Sequence, residues 1–248
     1  MYSQYLHNLI VSADDFGISA QANLAILELA RNKKLDRVSV MMEGKISNRE
    51  IQALIESDVK IDIHLHLFDS DFFQKREGEP GRGIARRLTL FLIDWTSGRY
   101  GAKRIKLAWQ KQIKDFHRLF GRYPDGINSH EYLHFFPPFF KVALKLKDKF
   151  GISYLRIGKG NFKQNFSAIA FILDKLRILN VKSNRIVFAP HGFMHDLPDE
   201  LNTSDFLVSF DWIKKTPEFF EALPNPAQIE LIFHPEREKE FKFLKENF

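Results

Sequence analysis

Short apolar runs rich in β-branched and aromatic residues recur along the chain, at Leu9–Ala13, Arg37–Met42, Ile61–Leu67, Gly126–His130, Tyr154–Ile157, Ile186–Pro190, Phe206–Phe210 and Ile229–Phe233. Runs this short, bounded by polar segments, predict strands. Between most of them apolar residues return every three or four positions, which predicts helices near 19–33, 47–57, 100–120, 164–179 and 236–247. Local chemistry sharpens several ends. Ser47 and Glu50 have the spacing of a reciprocal helix cap. Pro137 or Pro138 can open a helix that Gly151 stops after Phe150, and Thr216-Pro217 reads as a cap and first helical residue. Strand and helix alternating over the whole length imply a parallel sheet wound by crossover helices. Roughly eight such units predict an α/β fold forming a single (β/α) barrel, closed or deformed, with an open doubly wound sheet as the rival. The widest gap between strands, Phe68 to Asp125, leaves an insertion at about 69–104. Such an insertion is either a lid that shapes a binding site or a plain surface excursion.

The 248 residues fit one domain, 1–248, and a 44% hydrophobic content with 25 Phe suffices for a sizeable core. Lys and Arg outnumber Asp and Glu by 37 to 31, but they are spread through predicted helices and no nucleic-acid-binding module is recognisable. The excess therefore reads as a solvated face, and no nucleic-acid partner is expected. Cysteine is absent, which excludes disulfides, thiolate metal sites and a cysteine nucleophile, so any metal must be held by nitrogen and oxygen. The N-terminal residues lack the basic and long apolar regions of a leader, and no stretch is long and uncharged enough to span a bilayer. A cytoplasmic protein without a membrane span is expected.

Candidate chemistry gathers at the strand ends. The first strand ends in Asp14-Asp15, and two adjacent acids are electrostatically costly without a cation. One could instead cap the following helix while the other lies in solvent. In the third strand the two-residue period puts His64 and His66 on one face. His130 ends the fourth strand and His134 follows it, close to Pro137-Pro138; His191 and His234 end two later strands. A single His in an apolar strand is more often a satisfied core residue than a ligand, and His7, His117 and His195 carry that reading. As a set the others differ, because the strands of a parallel barrel converge at their C-terminal ends on one mouth. A carboxylate with two imidazoles leaves coordination positions open, the arrangement of a hydrolytic metal site. Phe135, Phe136, Trp109 and Trp212 have rings able to stack on a sugar, but core packing is the first expectation for them.

Four segments appear in order over nearly the whole chain: Ala13-Asp14-Asp15-Phe16-Gly17-Ile18-Ser19, Ile63-His64-Leu65, Asn128-Ser129-His130 with His134 and a Pro after it, and Phe233-His234-Pro235. Together they resemble the YdjC-like carbohydrate deacetylases, which include the chitooligosaccharide deacetylases and share a deformed barrel with the polysaccharide deacetylases. The resemblance implies one divalent metal held by Asp15, His64 and His130, with Asp14 as general base and His234 as general acid. The reaction it implies is removal of an acetyl group from an N-acetylated amino sugar, its oligosaccharide, or a lipid or nucleotide conjugate. Zinc, cobalt, manganese, nickel and magnesium all suit nitrogen and oxygen ligands. Family likeness also leaves room for a homodimer. A protonated His234 beside a cation is unfavourable unless distance or a partner carboxylate offsets it. This sequence departs from the family pattern at His66, which replaces a usual hydroxyl residue, at Asn128 (usually Asp), at Tyr132 (usually His) and at Glu236 (usually Gly). His66, His134 and His191 are therefore candidates for extra ligands, supporting hydrogen bonds or substrate contacts. Two further readings stand beside the first. His64-Leu65-His66 suggests a phosphoesterase or amidohydrolase with two metals, and the altered fourth-strand motif suggests a sugar-binding barrel without turnover.

Overall fold

The computed structural model describes residues 8–42, 44, 46–67, 101–160, 171–177, 201–223 and 227–248. The strands are β1 (Leu9–Phe16), β2 (Arg37–Val40), β3 (Lys60–Leu65), β4 (Gly126–Ser129), β5 (Tyr154–Leu155), β6 (Phe206–Ser209) and β7 (Ile229–Phe233). The helices are α1 (Ala20–Arg31), α2 (Asn48–Glu56), α3 (Ala102–Phe120), α4 (Pro137–Phe150), α5 (171–177), α6 (Thr216–Glu221) and α7 (Glu238–Asn247). The sheet is parallel throughout, in the order β5-β4-β3-β2-β1-β7-β6. Its two edges come together: Tyr154 of β5 bridges Asn202, ahead of β6, and the N–H groups of Leu155 and Lys159 donate to the carbonyls of Asn202 and Ser204 at 3.1 Å each. An open doubly wound sheet would keep those edges apart, so the sheet is a deformed barrel of the α/β class. The expected strand at Ile186–Pro190, most of the 69–104 insertion, and His7, His191 and His195 lie outside the described residues.

Most helix ends follow from local chemistry. Ser19 Oγ accepts the Ala22 N–H at 3.1 Å to start α1, and Ser47 and Glu50 satisfy each other's backbone N–H to start α2. Gly151, with φ 63°, ends α4 in the left-handed conformation. α6 starts one residue earlier than expected, with Lys215 and not Thr216 at the cap position. α7 starts at Glu238 because residues after His234 form a turn in which the Arg237 N–H donates to the His234 carbonyl at 2.9 Å. Among the described residues no helix is long and apolar enough to cross a membrane.

The strand period divides the sheet into two unlike faces. Val11, Ala13, Val38, Val40, Ile61, Ile63, Leu65, Ile127, Leu231 and Phe233 join one buried apolar cluster with helix residues such as Trp109 and Phe116. The alternate positions, Ser12, Asp14, Ser39, Asp62, His64, Asn128 and Glu230, are equally buried but polar. They survive inside because they bond one another across strands. Arg37 grips Asp62 through Nε at 2.8 Å and Nη2 at 2.5 Å, Ser12 Oγ donates to Glu230 at 2.7 Å, and Tyr154 OH donates to Glu230 at 2.6 Å.

Candidate metal centre

β1 brings two adjacent carboxylates into one site by breaking its own alternation. Asp15 has φ 69°, and the pairing with β2 shifts register between Ala13 and Phe16. A regular strand would send Asp14 and Asp15 to opposite faces. With this bulge both approach His64: Asp14 Oδ2 lies 3.9 Å from Nδ1 and Asp15 Oδ1 lies 3.2 Å from Nε2. Aspartate tolerates the left-handed region better than most residues, and the following Gly17 has no substitute. Its φ is 104°, and a Cβ there would stand 2.6 Å from the Met41 carbonyl oxygen.

Asp15, His64 and His130 offer donor atoms that all lie within 4.8 Å of one another. His130 Nδ1 and His64 Nε2 approach the same Asp15 oxygen at 3.0 and 3.2 Å, with the two rings 5.5 Å apart and nearly perpendicular. Bonds of about 2.0–2.1 Å to a tetrahedral ion place neighbouring donors about 3.3 Å apart, so the spacing fits one cation. Burial works against charge on Asp15, but His130 and His64 outweigh it and hold the carboxyl well below its usual range. Burial likewise works against a charged His130, and Asp15 outweighs it, raising the imidazole.

The turn after β4 sorts the remaining histidines. Glu131 and Tyr132 are both left-handed, at φ 51° and 56°, and kink the chain within the turn from His130 to Phe135. That path leaves His130 at the cluster and carries His134 elsewhere. Ser129 Oγ stands 2.6 Å from His134 Nδ1, and the Arg156 carbonyl 2.6 Å from Nε2, so both ring nitrogens are engaged by the protein. Burial drives His134 down to about 3, which keeps it neutral. β3 ends at Leu65, and His66 follows it with its backbone held from both sides by Gln112: Oε1 accepts the N–H at 3.1 Å and Nε2 donates to the carbonyl at 2.8 Å. Burial, then the charges of His130 and His64, push the His66 imidazole down to about 2. His66 thus neighbours the cluster without joining it. Trp109, Phe135, Phe136 and Trp212 are all buried in the core.

Asp14 is held from below by a residue that the sequence reading passed over. Arg156 donates through Nη1 to Asp14 Oδ1 at 2.6 Å, through Nε to Glu230 at 2.6 Å, and through Nη2 to Ser39 Oγ at 3.0 Å. Burial by itself would raise the Asp14 carboxyl, but Arg156 and then His64 and His234 bring it below its usual range. A lone Arg in the run Tyr154–Ile157 and a lone Glu in Ile229–Phe233 were the available signals, since a charge inside a buried strand requires a partner. His234, at the end of β7, meets Glu240: the His234 N–H donates to Glu240 Oε2 at 2.7 Å, and Nδ1 lies 3.6 Å from the same oxygen. Arg237 Nη1 holds the other Glu240 oxygen at 2.9 Å. Burial disfavours the imidazolium, but Glu240 more than compensates and raises His234 to about 10. Glu240 acts on the His234 ring through its charge, since its oxygen lies 3.6 Å from Nδ1, beyond hydrogen-bond distance.

Comparison with known proteins bears on the family and the fold. A chitooligosaccharide deacetylase of Escherichia fergusonii is 31% identical over 157 residues, 61% of this chain and 59% of the relative, so the chain matches less than two thirds of that protein's length. A crystal structure from Enterococcus faecalis, named for cellobiose-phosphate cleavage, aligns over 91% of this chain and 80% of its own with a TM-score of 0.55 and 17% identity, a likeness of fold. The family model described as YdjC-like protein matches residues 8–246, and the chain accordingly belongs to the YdjC-like family.

Proposed function

We propose that this protein is a metal-dependent hydrolase that removes the acetyl group from an N-acetylated amino sugar or its oligosaccharide or conjugate. The observation that carries the proposal is the convergence of Asp15, His64 and His130 at donor spacings suited to one ion, between a tethered Asp14 and a His234 backed by Glu240. Charge supports it as well. Along the polar face of the sheet, Arg37 and Arg156 set two guanidiniums against four of the buried carboxylates, Asp14, Asp15, Asp62 and Glu230, an excess of negative charge that a divalent cation offsets. The deacetylase named among the relatives supports the substrate class.

Asp15, His64 and His130 would hold the ion, which when bound supplies Lewis acidity, polarising the acyl carbonyl and acidifying a water molecule. Asp14 accepts the proton of the attacking water. Its Oδ1 is committed to Arg156, which leaves Oδ2 as the base and keeps the carboxylate ionised. His234, protonated through Glu240, gives its proton to the departing amine, so that acetate and a free amino sugar leave. Residues 1–248 act in this reading as one catalytic domain.

The test is acetate release from N-acetylglucosamine oligomers and related conjugates by protein loaded with a divalent metal, abolished by a chelator and restored by metal. Asp14→Asn should keep the metal and lose about 10²–10⁴-fold in kcat. Protein with one bound ion that releases no acetate from a broad panel would overturn the proposal. Two tightly bound ions per chain would favour the phosphoesterase class, a reading that the position of His66 outside the cluster does not support.

A further inference from the structure

The geometry points to Asn128 as a positioning residue that presents His64 to the metal and, because its amide is neutral, keeps the ion less tightly held than a carboxylate there would. The inference rests on the metal-site reading above and extends it to a residue that touches no ion. Asn128 is fully buried and lies directly across from His64 in the β3–β4 register. Its Oδ1 stands 2.5 Å from His64 Nδ1, and its Nδ2 donates to Ser39 Oγ at 2.8 Å. Ser39 Oγ in turn accepts from Arg156 Nη2 at 3.0 Å, and Arg156 Nη1 holds Asp14 at 2.6 Å. One continuous chain of contacts therefore joins His64 to the proposed base.

Two consequences follow from that chain. An imidazole that gives its Nε2 lone pair to a cation carries its proton on Nδ1, where Asn128 Oδ1 is in place to receive it. The amide cannot turn away from that role without giving up Ser39. A carboxylate at this position would orient His64 equally well, but would add a negative charge behind the ligand and pull harder on the ion. It would also place a fifth carboxylate among the four already buried with two guanidiniums, a cost borne by the metal-free protein. Asn128 thus sets affinity against stability.

The experiment measures Co(II) and Zn(II) affinity by chelator competition on the full chain, alongside the melting temperature of the metal-free protein. Asn128→Asp should lower the metal Kd about 10- to 100-fold and lower the metal-free melting temperature, whereas Asn128→Leu should raise the Kd by a similar factor. Opposite signs for two substitutions at one buried position are not the result of general destabilisation. Asn128→Asp binding no tighter than the original protein would overturn the inference. If that variant does not fold, Ser39→Ala, which frees the amide, decides the matter: a Kd raised several-fold sustains the inference and an unchanged Kd refutes it. Original protein that binds neither ion would instead overturn the metal-site reading itself.

Discussion

Arg156 shows how a buried charge acts one step away from the reaction. Its guanidinium bridges Asp14, Glu230 and Ser39, so Arg156→Met leaves two buried carboxylates without their cation. A loss of about 3–5 kcal/mol in unfolding free energy is expected, read from urea titration. Arg156→Lys keeps the charge without the planar fork, and should recover part of that stability while kcat stays low. Glu240 acts on His234 in the same manner. A group needed in its acid form works below its pKa, so in the proposed mechanism the value of about 10 that His234 has in the metal-free protein predicts turnover extending above the ordinary imidazole range. Glu240→Gln should bring the alkaline limb of the pH–rate profile down towards the ordinary imidazole range, and a limb that does not move would count against His234 as the acid. His130 is raised by Asp15 and must shed its proton to bind a cation, so metal affinity should rise with pH through its titration.

At the scale of elements, the site depends on two irregular strand ends more than on any helix. The bulge at the end of β1 and the paired left-handed residues after β4 aim Asp14, Asp15 and His130 at His64. Gly17→Ala should therefore cost stability, by about 1–3 kcal/mol for the backbone strain alone, and weaken metal binding as well, because its Cβ meets the Met41 carbonyl. Ser47→Ala removes one half of the α2 cap at about 1 kcal/mol and should leave metal affinity unchanged, since α2 contributes nothing to the cluster. Thermal melts with and without metal separate the two cases. The helix signals at Ser19, Ser47 and Gly151 were legible because each is a contact between near neighbours. The bulge was not, because it is a register shift against β2, whose sequence position says nothing about pairing.

At the scale of the whole molecule, burial and neighbouring carboxylates shift the buried histidines of the metal-free protein in opposite directions. Burial holds His66 at about 2 and His134 at about 3, while Asp15 raises His130 and Glu240 raises His234 to about 10. Below the unfolded imidazole value of about 6.5, the unfolded chain takes up protons that His66 and His134 refuse, so stability falls as pH falls. Above it, the folded protein alone retains the protons on His130 and His234, and that stability is lost as pH rises through their folded values. Each group contributes up to about 1.4 kcal/mol per pH unit. Metal-free stability should therefore peak near pH 6.5, as measured by the urea midpoint across pH, and a monotonic profile would contradict these assignments. The sequence by itself determined the α/β class, the run of strands and helices, and the residue types that gather at the strand ends, because periodicity, caps and cysteine absence are properties of neighbouring positions. Only the tertiary structure decided which imidazoles share a cluster, that Arg156 and Glu240 stand behind Asp14 and His234, and that the polar face of every central strand closes on itself. Those outcomes depend on register and curvature, which bring together groups as far apart in the chain as Asp14 and Arg156 and are written in no local pattern.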